Sequence, residues 1–186
     1  MSLEAPFETN MKTAKSILAI SLAIATSSAF AIQSPAQVKV TLQSIYAKMD
    51  NLASKKDIKG LRLLLSQVST SDCSFISKPD GSGKTQAKTR EDAMQSMEGV
   101  MPFIAVVNES SSKIDHVVVK KGVAVATVNS VVAMTTKSDK TNPAHKIVQK
   151  SKSEDTWVKV GSTWKLKISK TITETATQDG KSIPTG

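Results

Sequence analysis

The chain has 186 residues, 25 of them lysine or arginine against 16 aspartate or glutamate, giving a formal net charge of +9 with a single cysteine. One cysteine excludes a scaffold stapled by internal disulfides, so stability must come from packing. Only Arg62 and Arg90 are arginines and aromatic residues make up 4% of the chain. A nucleic-acid surface draws on arginine forks and stacking rings, so nucleic acid is not an expected partner, and the charge reads as solubility with weak attraction to anionic cell-envelope surfaces.

Residues 1–10 read as an upstream extension, and residues 11–31 as a cleavable export signal. Lys12 and Lys15 supply the positive end, Ile17 to Ala25 the apolar run broken only by Ser21, and Ala29-Phe30-Ala31 the small-residue cleavage site. The run is about half the ~20 residues a helix needs to cross a bilayer. The residue directly after the cleavage site is Ile32 and not cysteine, so no lipid anchor is expected, and no membrane segment is expected after cleavage. The expectation is a protein processed after Ala31 and exported to a periplasm or the medium. The remaining 155 residues suit one domain, assigned to 32–174, with a polar tail at 175–186.

Ser34-Pro35 starts a helix: a capping serine precedes proline at the first helical position. Val38, Leu42, Ile45, Met49 and Leu52 then recur at helical spacing to about Ala53, with Tyr46 on the inner side. Asp57 caps a shorter helix carrying Ile58, Leu61, Leu64, Leu65 and Val68. Asp72 to Ser77 alternates as a short strand and ends in the Pro79-Asp80-Gly81 turn. Thr89-Arg90-Glu91-Asp92 has the form of a capping box with aspartate in the glutamate position. It opens a third helix with Ala93, Met94, Met97, Val100 and Met101 on one face.

From Phe103 the chain turns β-rich. Ile114–Val119 and Val123–Thr135 form a hairpin across Lys120-Lys121-Gly122, and Lys146–Val160 and Ser162–Thr173 form a second around Gly161. Trp164, Leu166 and Ile168 face one way and Lys165 and Lys167 the other, as on a sheet with one covered and one wet face. The expected fold class is α+β, with three N-terminal helices packed on a strongly curved antiparallel sheet.

This pattern resembles the nuclear transport factor 2-like superfamily, which includes ketosteroid isomerase and the SnoaL-like cyclases. The resemblance lies in the long first helix with Tyr46, the Lys56-Asp57 entry to the second, and the Asp72-Cys73-Ser74-Phe75 strand leading to Pro79-Asp80-Gly81. It continues in the Thr89-Arg90-Glu91 entry to the third helix and the Asp155-Thr156-Trp157-Val158-Lys159-Val160-Gly161 turn before Trp164-Lys165-Leu166. It implies a cystatin-like cone open at one end into an apolar pocket, and a homodimer formed through the outer sheet face. Function does not travel with the fold, which hosts isomerases, dehydratases and plain binding modules.

Two readings of the site stay open. An isomerase or dehydratase needs a carboxylate base in an apolar cleft with a tyrosine or a protonated acid as oxyanion donor. His116, Tyr46 and Asp155 are the candidates. Asp155 shares a face with Trp157, and His116 joins the inner face if Ile114 marks it and alternation holds. A binding module needs only an apolar lining, for which Tyr46, Phe75, Met94, Met97, His116, Met134, Trp157 and Trp164 are the candidates. No metal-ligand spacing appears, no cofactor is expected, and Gly81-Ser82-Gly83-Lys84-Thr85 lacks the spacing of a phosphate loop. Cys73 reads as buried and inert. With no complete catalytic set in view, the favoured expectation is a non-catalytic exported module holding a small apolar or amphipathic ligand, or a partner protein.

Overall fold

The computed structural model describes residues 33–77 and 84–185. The export signal and the Pro79-Asp80-Gly81 turn lie outside the described residues. Residues 33–186 form a compact unit of their own. Its elements, in chain order, are α1 (Pro35–Ser54), α2 (Ile58–Val68), β1 (Ser69–Ile76), β2 (Ala87–Thr89) and α3 (Arg90–Val100). A 3-10 turn (Met101–Phe103) leads into β3 (Ile104–Lys120), β4 (Val123–Thr136), β5 (Lys146–Val160), β6 (Thr163–Gln178) and β7 (Lys181–Ile183).

Local chemistry accounts for the helix starts. Ser34 caps α1 reciprocally: its hydroxyl accepts from the Gln37 N–H at 3.3 Å, and its own N–H donates to Gln37 Oε1 at 2.9 Å. Asp57 caps α2 by accepting from Gly60 N–H at 2.8 Å, and Thr89 with Asp92 makes the same box for α3. The helix spacing read from sequence matches what is buried: Val38, Leu42 and Tyr46 on α1, Leu61 and Leu65 on α2, Met94 on α3.

The fold is α+β with a curved, open, seven-stranded sheet in the order β2-β1-β6-β5-β4-β3, and β7 on β6. The sheet is mixed, which corrects the expectation of an all-antiparallel one. The β3–β4, β4–β5 and β5–β6 pairs are antiparallel hairpin neighbours, but β1 runs parallel to β6. A parallel neighbour must be reached by a long connection, and α3 with the three following strands supplies it. The stretch from Thr175 continues β6 to Gln178. It then turns through Asp179 and Gly180, both at positive φ as a tight primed turn requires, into β7.

The β4–β5 register is unbroken, so alternation there is strict. Ala124, Ala126 and Val128 are buried in one cluster with Val38, Leu42, Tyr46, Ile114, Val117, Trp157, Trp164 and Leu166. Small residues on β4 make room for large ones opposite: Ala124 pairs with Trp157, and Ala126 with Asp155. A second cluster joins Leu61, Leu65 and Met94, and Phe75 packs against both.

Candidate functional site

Among the described residues Asp155 is the buried charged side chain of the core, 4% exposed. Alternation puts it on the face of Trp157, two residues on. Ala126 of β4 lies on one side and Ser169 of β6 on the other. From α1, the buried Tyr46 hydroxyl donates a short hydrogen bond to Asp155 Oδ2. The Ser169 hydroxyl donates to Oδ1 at 2.7 Å. Tyr46 and Trp157 meet edge to face, with ring centroids 5.9 Å apart and planes at 80°. The Trp157 indole N–H makes no hydrogen bond of normal geometry among the described residues, though it lies close enough to Tyr46 to stabilise the phenolate slightly.

Electrostatics follow from this burial. Loss of water pushes the Asp155 carboxyl above the ordinary carboxylate range, and hydrogen bonds from Tyr46, Ser169 and Ser153 pull it part of the way back. Burial, then the charge and hydrogen bond of Asp155, raise Tyr46 well above its usual value. Cys73, in the same core cluster, is pushed up to about 11, first by burial, with Arg90 opposing. It is a poor nucleophile where it sits.

Ser169 also reaches solvent. It lines a cleft of about 170 Å³ with Phe75, Ile76, Ser77, Gln86, Lys88 and Thr171. The sheet register gathers these residues: Phe75 pairs with Ser169 on one side and Lys88 on the other, while Thr171 pairs with Ser153. Hydroxyls thus connect the cleft to the buried carboxylate. One aromatic face, three hydroxyls, an amide and a lysine suit a small molecule with an apolar body and an oxygen-bearing end. At this volume the cleft takes such an end group, being smaller than the ~300–1,000 Å³ of a site for a drug-sized ligand.

The residues singled out from sequence do not all meet here. Tyr46, Trp157 and Trp164 join Asp155's surroundings in the core, and Phe75 lines the cleft. Trp164 is anchored by a 2.8 Å bond from its indole N–H to Gln33. Met94 and Met97 belong with α2 and α3 in the second cluster. Met134 is half-buried on β4, opposite Val107 and Ile147. His116 is exposed on the other face of the sheet, because β3 bulges between Ile114 and His116 and shifts the alternation by one. Ser169, Ser153, Thr171 and Lys88 were missed. Serines in an alternating strand look like its wet side, and strict alternation after Trp164, Leu166 and Ile168 puts Ser169 there; the register shift between the Trp157–Leu166 and Thr156–Ile168 pairs instead turns Ile168 outward and Ser169 inward.

No protein-family model and no curated protein matches the sequence. Solved structures do match the fold. A conserved protein from Planctomyces limnophilus DSM 3776 aligns at 12% identity over 72% of this chain and 93% of its own, with a TM-score of 0.55. A nuclear transport factor 2-like protein of unknown function from Shewanella baltica OS155 aligns at 12% identity over 82% of this chain and 99% of its own, TM-score 0.51. The Kfla4162 protein from Kribbella flavida aligns at 11% over 75% and 94%, TM-score 0.54. The chain has the nuclear transport factor 2-like fold. At these identities the likeness is one of fold.

Proposed function

We propose that this protein is an exported binding module that takes the polar end of a small amphipathic molecule into the cleft beside Ser169, at the open side of a cone-shaped fold. The observation that carries the reading is the double role of Ser169, which lines the cleft and donates to the buried Asp155. A ligand hydroxyl placed there donates to Ser169 Oγ, whose own proton is already given to the fixed carboxylate, with Lys88 and Thr171 beside it and Phe75 against the apolar part. Preorganised polar groups in an otherwise apolar wall give orientation and selectivity at low entropic cost.

Asp155 with Tyr46 also fits an isomerase or dehydratase in one respect, the raised carboxyl pKa. A general base needs an oxygen free to take the substrate's proton. Both Asp155 oxygens are engaged, one by Tyr46 and one by Ser169, and His116 lies on the opposite face of the sheet. That arrangement favours holding a ligand over transforming it.

The test is native mass spectrometry of the protein isolated from its own source. The reading expects a mass that begins at about Ile32 and a co-purifying small molecule lost on Thr171→Trp, which fills the cleft. A protein that carries nothing, or keeps its ligand in the filled variant, would overturn it.

A further inference from the structure

The unbroken β4–β5 register defines the sheet's outer face, opposite Ala124, Ala126 and Val128. Directly paired residues share a face, so the assignment extends to β3 and β6. Across β3, β4, β5 and β6 one row reads Lys120, Val123, Val158, Lys165, and the next Val118, Val125, Thr156, Ile168. Further along come His116, Thr127, Glu154, Lys170, then Lys113, Asn129, Lys152, Thr173, then Ser111, Val131, Lys150, Thr175.

Two properties coincide on this face. Lys113, Lys120, Lys150, Lys152 and Lys170 are exposed on it, against the acids Glu109, Glu154 and Asp115, whose carboxylate accepts from the Asn129 amide, and none of these lysines is in an ion pair among the described residues. At the end where both hairpins turn, Val118, Val123 and Val160 are 52%, 37% and 53% exposed, beside Lys120. Apolar side chains next to unpaired lysines, with no arginine, tryptophan, tyrosine or phenylalanine in these rows, match the surface of an anionic bilayer better than a nucleic acid. A second copy seated here would bring two faces of net positive charge together.

We propose that the outer sheet face docks on an anionic lipid surface, valine end leading, with the lysines held over the headgroups. This leaves the Ser169 cleft, on the core side of β6, open for its ligand.

The test is co-sedimentation of the full chain with vesicles of phosphatidylcholine alone or mixed with phosphatidylglycerol. Binding is expected only to the mixed vesicles, weakening as salt rises. At ~1 kcal/mol per lysine near an anionic surface, the triple variant Lys113→Gln, Lys150→Gln, Lys152→Gln should lose roughly 100-fold in partitioning. It shares every N-terminal residue with the parent, so any affinity of the apolar leader cancels in the comparison. Val118→Thr with Val160→Thr, isosteric and β-branched, should cost a smaller factor. Equal binding to both vesicle types, or a triple variant that folds by circular dichroism yet binds as the parent does, would overturn the proposal. So would a stable dimer through this face, or capture by DNA but not by vesicles.

Discussion

Replacing Tyr46 by phenylalanine isolates the hydrogen bond on which the buried cluster turns. The ring stays, with its edge contact to Trp157, so only the hydroxyl given to Asp155 is lost. A hydrogen bond to a charged group is worth about 1.5–3 kcal/mol and one to a neutral group about 1 kcal/mol. The cost should therefore depend on the charge of Asp155, and the sign is fixed. Burial raises the folded pKa of Asp155 while Tyr46 holds it down. A carboxyl raised on folding loses stability as pH climbs from its unfolded value, about 3.9, through the folded one. Without Tyr46 the folded value moves higher and the loss grows. Urea unfolding of Tyr46→Phe should show a cost of about 1 kcal/mol near pH 4, widening to about 2–3 kcal/mol near neutrality. At roughly 2–4 °C per kcal/mol for a domain of this size, that is a fall in Tm of about 5–10 °C near neutrality. A cost that is the same at both pH values would refute the reasoning.

Asp155→Asn should abolish the part of the acid-to-neutral stability decline that Asp155 causes, since its amide oxygen can still accept from Tyr46; a loss above about 3 kcal/mol near neutrality would instead reveal a carboxylate paired with a cation. The Cys73 thiol should react with a disulfide reagent only as fast as the protein opens, and at once in urea, because it is buried with a pKa pushed up to about 11. Gly60→Ala should destabilise by about 1 kcal/mol despite alanine's better helix propensity. Its Cβ would lie 2.4 Å from Asp57 Oδ2 and 2.8 Å from Leu52 Cδ2, displacing the cap of α2. A stabilised variant in denaturant melts would show that the cap contributes little.

What the sequence made legible was local. Helix spacing placed Val38, Leu42 and Tyr46 inward, three capping signals marked helix starts, and the Lys121-Gly122 turn, with φ of 49° and 77°, announced the β3–β4 hairpin. Asp155 on the face of Trp157 also followed from alternation. Its union with Tyr46, 109 residues away, did not, because register between distant elements leaves no mark in either segment. The parallel placement of β1 beside β6 was hidden for the same reason. The bulge at Asp115 sent His116 outward without any glycine to flag it. Ser169 escaped notice because only its position between Asp155 and Phe75 distinguishes it from a solvated strand residue.

The central claim is that the Ser169 cleft holds a ligand, and a high-resolution crystal structure of the protein purified from its own source tests it most directly. The account predicts an ordered organic molecule between Phe75, Lys88 and Thr171, with an oxygen in hydrogen-bond reach of Ser169. A cleft holding only water, with a ligand bound elsewhere in the fold, would contradict it.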